Sequence, residues 1–150
     1  MAQPALSLRA RALRSLARRE HTRSELRRKL APHEETEGQL DALLDALQAQ
    51  GFLSDERAAA SLVHRRAARL GTQRLRQELQ AKGLDASTVD AALEGLGGTE
   101  LERARVLWER KFGAPAHDAA GRARQIRFLL ARGFAADTVR RVVRGVEEDF

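Results

Sequence analysis

Four histidines and a large excess of arginine are the residues of this chain whose types and spacing could do chemistry. His21 with Glu25, and His33 with Glu37, stand four positions apart, the interval that sets two side chains on one helix face and could offer an imidazole and a carboxylate to a divalent cation. A protein zinc site takes three or four donors, no third ligand lies close to either pair, and Pro32 makes the second an awkward helical start. His21 therefore reads as a solvated or capping residue beside Thr22, His64 as a surface or partly packed residue, and no metal or other cofactor is expected. Cysteine is absent, which removes disulfides, thiolate ligands and a thiol nucleophile. Gly95-Leu96-Gly97-Gly98-Thr99 is glycine-rich, but it lacks the lysine of a phosphate loop and follows a helical pattern instead of a strand, so it reads as a hinge. No catalytic residue is expected, and binding is left as the mode of action.

Arginine is the more promising chemistry. The 150 residues carry 27 Lys and Arg against 21 Asp and Glu, for a net charge of +6. Only Lys29, Lys82 and Lys111 are lysine, and a coding preference accounts for that ratio. The placement points further, because planar guanidinium forks grip phosphate or carboxylate in two-point fashion. One cluster holds Arg14, Arg18, Arg19 and Arg23, with Arg27, Arg28 and Lys29 just beyond. A second holds Arg65, Arg66, Arg69, Arg74, Arg76 and Lys82. Arg124 and Arg127, beside Arg122, continue the series. These twelve clustered cations, leaving aside Arg27, Arg28, Lys29 and Arg122, are read as a partner-binding basic face. Between the clusters lies an acidic stretch, Glu34, Glu35, Glu37, Asp41 and Asp45, read as solubilising.

The elements that would position these side chains recur at a fixed period. From Leu30, apolar residues follow 10, 14 and 17 positions on, at Leu40, Leu44 and Leu47; from Leu79 the same offsets reach Val89, Leu93 and Leu96; from Leu129 they reach Val139, Val143 and Val146. The starting residues are 49 and then 50 apart. A constant period is the mark of a repeat protein, and units this small are near the lower limit for a self-sufficient core, so neighbours must lean on one another. The expected fold is all-α, an elongated array of three tandem three-helix repeats at residues 1–51, 52–97 and 98–150.

In repeat one, helices are expected at 7–19 (buried stripe Leu13, Leu16 and Ala17), from the capping box Thr22-Arg23-Ser24-Glu25 to Pro32, and at 34–49, stopped by Gly51. In repeat two, Ser54 caps a helix to about Arg69, Gly71 breaks it, Thr72 caps the next, Gly83 turns the chain and Asp85 opens the third. In repeat three, Thr99 caps a helix carrying Val106, Leu107 and Trp108 to Phe112; helices at 118–132 and 136–147 follow, with Gly133 between them and a fraying acidic tail. Trp108 and Phe112 read as core. No apolar run approaches the ~20 residues that span a bilayer, and the expected setting is the cytoplasm.

The helix pairs joined at Gly83 and Gly133 invite comparison with a helix-turn-helix, whose second helix needs polar or basic residues at its start. Here those starts are Asp85-Ala86-Ser87-Thr88 and Ala135-Ala136-Asp137-Thr138, acidic or small. Few aromatics are available for stacking single-stranded bases, which leaves phosphate contact as the nucleic-acid chemistry within reach.

At this point the residues become familiar. Arg18-Arg19-Glu20-His21-Thr22-Arg23-Ser24-Glu25-Leu26 with Lys29-Leu30, Gly51-Phe52-Leu53-Ser54-Asp55-Glu56-Arg57, Gly71 to Leu75 with Glu78-Leu79 and Lys82-Gly83, and Arg124 to Phe134 together resemble the RecX family, regulators of the RecA recombinase. The chain departs from that family at Ser54, where a second acidic residue is usual, and at Ala58, where an aromatic is usual. The resemblance implies a monomer that lies in the groove of a RecA filament on single-stranded DNA across several subunits. It further implies suppression of filament growth, ATP hydrolysis, strand exchange and coprotease activity. Direct contact with DNA is a weaker second interaction, and direct competition for DNA is the alternative mechanism.

Overall fold

The computed structural model describes residues 5–144, and every regular element among them is helical. Repeat one supplies α1 (Leu8–Arg18), α2 (Arg23–Leu30) and α3 (Gln39–Ala49). Repeat two supplies α4 (Asp55–Arg66), α5 (Thr72–Ala81) and α6 (Ala86–Leu93), and repeat three α7 (Glu100–Lys111), α8 (Ala119–Ala131) and α9 (Ala136–Arg144). The starts are set by local polar chemistry. Ser7 accepts from the Ala10 amide at 3.0 Å, Ser54 from Arg57 at 3.1 Å, Asp85 from Thr88 at 2.8 Å and Asp118 from Gly121 at 2.7 Å. Each satisfies an amide that the helix itself leaves unpaired.

Four expectations shift. The third helix begins at Gln39, not Glu34, because Pro32 sits in a short 3-10 turn at Ala31–His33 and Gly38 takes φ 85° immediately before the helix. Glu34 instead reaches forward, its carboxylate accepting from the Leu40 amide at 3.1 Å. The buried stripe of α1 is Leu8, Ala12 and Ser15; Leu13 and Leu16 pack at its margin and Ala17 faces solvent. Thr99 does not cap α7: its hydroxyl donates to the Leu96 carbonyl at 2.9 Å, closing a 3-10 turn over Gly97–Thr99. Helix α4 ends at Arg66 and Thr72 is the first residue of α5, not its cap.

Contacts divide the described residues into two compact units, one taking those up to Ser61 with Leu79–Val89, the other Leu62–Glu78 with those from Asp90 on. In the first, Leu26, Leu30, Leu40, Leu44 and Leu47 from α2 and α3 pack with Leu8 and Ala12 of α1. In the second, Trp108 of α7 and Leu129 of α8 pack with Phe134 and with Val139, Val142 and Val143 around α9. Trp108 donates from its indole nitrogen to Gln125 at 3.0 Å, and Phe112 meets Phe128 edge to face at 5.4 Å. Both aromatics therefore belong to packing. Every periodic aliphatic anchor within the described residues is buried except Leu96, which lies past the end of α6 and is half-buried. Val146, the expected end of the last helix at residue 147 and the acidic tail lie outside the described residues.

Candidate partner-binding surfaces

The places where one repeat grips the next organise the surface. The first lies in the first unit. Thr22 forms the expected capping box with Glu25, and its hydroxyl also donates to the Lys82 carbonyl at 2.7 Å. Asp55, the first residue of α4, accepts from the Arg23 amide at 2.8 Å, so a carboxylate of the following repeat sits at the positive end of α2. Gly83, at φ 79°, lies against Ser24 so closely that a Cβ there would overlap the serine side chain.

The second grip, in the second unit, repeats this about fifty residues later with different atoms. The Gly71 amide donates to the Arg132 carbonyl at 2.8 Å. Glu100, the first residue of α7, accepts from the Thr72 amide at 3.1 Å. Gly133, at φ 89°, lies against Arg74. Gly71 has no left-handed φ; a Cβ on it would strike the Gly133 carbonyl, so close approach of two backbones is what demands glycine there.

Glu25 is the hub of the first grip. Burial pushes its pKa up, but hydrogen bonds from Arg19, the Thr22 amide and Lys82 outweigh burial and hold it down at about 2, against 4.5 for a free glutamate. Arg19 Nη2 and Lys82 Nζ each lie 3.0 Å from the same carboxylate oxygen. A carboxyl with a depressed folded pKa contributes stability that is present above pH 4.5 and is lost as the pH falls toward 2. Glu25→Gln is accordingly expected to be less stable than the parent at pH 7 by about 1–2 kcal/mol after solvent screening, with the gap closing on acidification. Denaturant titrations of both proteins across that range check this, and parallel profiles would refute it.

His21 is a correction. Its side chain is not solvated: the residue is 3% exposed, and Nδ1 donates to the Arg19 carbonyl at 3.0 Å. Desolvation dominates and lowers its pKa, which favours the neutral ring. Among the described residues no group of three or more His, Asp or Glu side chains could hold a metal ion.

The basic positions separate into two kinds. Many are occupied by the protein's own carboxylates: Arg19 and Lys82 by Glu25, Arg23 by Asp45 at 2.8 Å, Arg76 by Asp90 at 2.7 Å. Arg66 Nε lies 2.6 Å from Glu78 Oε2 without aiming its hydrogen there, while Nη2 donates to Oε1 at 2.9 Å; Arg74 stands 3.9 Å from the same group. The acidic stretch follows suit, with Asp41 meeting Arg27 at 2.5 Å. Much of the charge alternation seen in sequence is thus folded against itself. The second kind makes no ion pair among the described residues: Arg14, Arg18, Arg69, Arg124 and Arg127, with Arg28 and Lys29. Arg65 is exposed but engaged.

Arg103 escaped sequence reading. Its Nη1 donates to the Ala67 carbonyl at 2.7 Å and to the Leu70 carbonyl at 2.5 Å, Nη2 to Thr72 at 3.1 Å and Nε to Thr99 at 3.1 Å. It satisfies carbonyls left over where α4 ends. Its sequence signal was only one more arginine in a helix.

Among the described residues, nine α-helices in three successive triplets, joined by a recurring grip and faced with arginine, define a tandem three-helix-repeat protein. The models for the first, second and third three-helix domains of RecX match residues 9–47, 54–93 and 99–143 in that order. The chain belongs to the RecX family. It is 57% identical over 142 residues to regulatory protein RecX of Leptothrix cholodnii, covering 95% of this chain and 90% of that one. Identity to regulatory protein RecX of Ralstonia pickettii is 51% over 143 residues, with 95% and 90% covered. The crystal structure of RecX from Lactobacillus salivarius superposes with a TM-score of 0.76 at 20% identity, covering 93% of this chain and 94% of that one, which supports the shared fold.

Proposed function

We propose that this protein regulates the RecA recombinase, mainly as an inhibitor, by binding in the groove of the RecA filament on single-stranded DNA and bridging several subunits. It acts in the cytoplasm, as a monomer, by binding alone, and lowers filament growth, ATP hydrolysis, strand exchange and coprotease activity together. The observation that carries this reading is the ordered match of all three RecX domains along one chain. Several weak patches on successive repeats suit a periodic polymer, because each added contact gains from the effective concentration set by the others.

The basic face proposed from sequence is Arg14, Arg18, Arg19, Arg23, Arg65, Arg66, Arg69, Arg74, Arg76, Lys82, Arg124 and Arg127. Within it, Arg14, Arg18, Arg69, Arg124 and Arg127 make no ion pair among the described residues, which favours them as the contacting cations. Arg66 is less suited to a charge-reversal test, because a glutamate there would face Glu78.

The deciding measurement is DNA-dependent ATP hydrolysis by RecA on preformed filaments, with this protein far below the concentration of DNA sites. Inhibition at such low ratios is expected. Inhibition that appears only once the DNA itself is saturated would overturn filament binding in favour of competition for DNA, and its steep salt dependence would mark phosphate contacts.

A further inference from the structure

We propose that the groove between α1 and α2 is a docking site for an acidic peptide segment that carries an apolar side chain. The groove is lined by Arg11, Arg14 and Arg18 of α1, by Lys29 and Leu30 of α2, and by Leu6, Ser15 and His33. Among the described residues its lining includes four formal positive charges and no carboxylate. None of the four makes an ion pair among the described residues, whereas Arg23 and Arg27 on the same α2 are matched to Asp45 and Asp41.

Arg11, Arg14 and Arg18 stand three and four residues apart, so like charges are neighbours along one helix, an arrangement that weakens the helix unless an anion relieves it. Among the described residues the folded chain pairs Arg23 and Arg27 of α2 with its own carboxylates and leaves the four cations of this groove without an ion pair. An external anion is the partner that removes the repulsion.

The apolar part of the groove selects among anions. Leu6 is 44% exposed at its edge, and among the described lining residues there is no aromatic ring on which a base could stack. A phosphodiester backbone offers no branched aliphatic side chain with which to cover Leu6. A peptide helix with Asp or Glu every three to four residues matches the ladder on α1 step for step, and one adjacent Leu or Ile can cover Leu6 while carboxylates take the guanidinium forks.

Arg14 and Arg18 also belong to the face proposed above, so this inference sharpens that reading; its test uses no RecA and stands or falls independently. A fluorescent synthetic peptide repeating Glu-Glu-Leu-Ala, and an oligothymidylate with the same label, are titrated with the full chain while anisotropy is read. The peptide is expected to bind, and Arg14→Glu with Arg18→Glu is expected to weaken it at least about ten-fold. Arg14→Gln with Arg18→Gln, which introduces no new charge, should weaken it in the same direction. Leu6→Ser should weaken it about three-fold, and Arg122→Glu should leave it unchanged. Circular dichroism and the unfolding midpoint of each variant establish that the fold persists, which relief of the α1 repulsion favours. Peptide binding indifferent to both pairs, or no peptide binding, overturns the proposal. Oligothymidylate binding that is lost with the same pairs while the peptide fails to bind overturns it in favour of phosphate.

Discussion

Gly133→Ala is expected to destabilise the second unit by about 3 kcal/mol, from left-handed strain plus forced displacement of a packed neighbour. Gly133 has φ 89°, and a Cβ built on it overlaps Arg74 Cβ and comes 2.7 Å from the Arg74 amide nitrogen. Those atoms belong to the start of α5 and are not the far end of a flexible side chain, so they cannot swing clear. Gly51→Ala is the matched control: φ is 82°, yet nothing lies within 4 Å of the added methyl. It should therefore cost only the left-handed strain, about 1–2 kcal/mol. Urea unfolding of the two variants separates the terms. Equal shifts in midpoint would mean that the approach of Gly133 to Arg74 contributes nothing.

Glycine also marks how far the sequence could be read. That Gly83 and Gly133 turn the chain between helices was legible from the period, and both have positive φ. That each is pressed against the start of the second helix of the preceding repeat was not, because close approach leaves no local pattern; Gly71, without a positive φ, looked like an ordinary helix breaker. Helix starts were legible where a side chain reaches its own amides, as at Ser54, Asp85 and Asp118. They were misread where the cap comes from elsewhere, as when Glu100 serves Thr72. The periodic aliphatic anchors carried the fold class because burial on one helix face is a property of spacing alone.

The basic positions divide differently. Sequence placed most of the cations on helices, though Arg19, Arg69 and Lys82 lie just past helix ends, and charge sums along a chain cannot say which carboxylate will face which guanidinium after folding. Arg23 and Arg27 looked as available as Arg14 and Arg18 until α3 brought Asp45 and Asp41 to them. Exposed pairs of that kind add little stability. Their consequence is selective: they remove charge from part of the surface and leave a partner a smaller set of contacts than the composition suggests. His21 shows the converse, since a histidine between polar neighbours gave no sign that the chain would bury it.

Arg103 carries the second large expected effect. Its guanidinium reaches two carbonyls at the end of α4, two threonine hydroxyls and the face of Phe134, whose ring centroid is 6.0 Å away. Burial lowers its pKa and Glu100 partly offsets that, so the charge is held in a half-buried place by neighbours that all accept hydrogen bonds or favour a cation. Arg103→Ala leaves the Ala67 and Leu70 carbonyls without these donors and is expected to cost about 3 kcal/mol. Arg103→Lys should recover less than half of the loss, because a single ammonium cannot span acceptors that the planar fork meets with three separate nitrogens. Arg110→Ala, at an exposed position on the same helix, should change stability by no more than about 0.5 kcal/mol. Unfolding midpoints of the three variants decide the matter: if Arg103→Ala matches Arg110→Ala, or if lysine restores the parent midpoint, the bridging role fails and charge alone explains the residue.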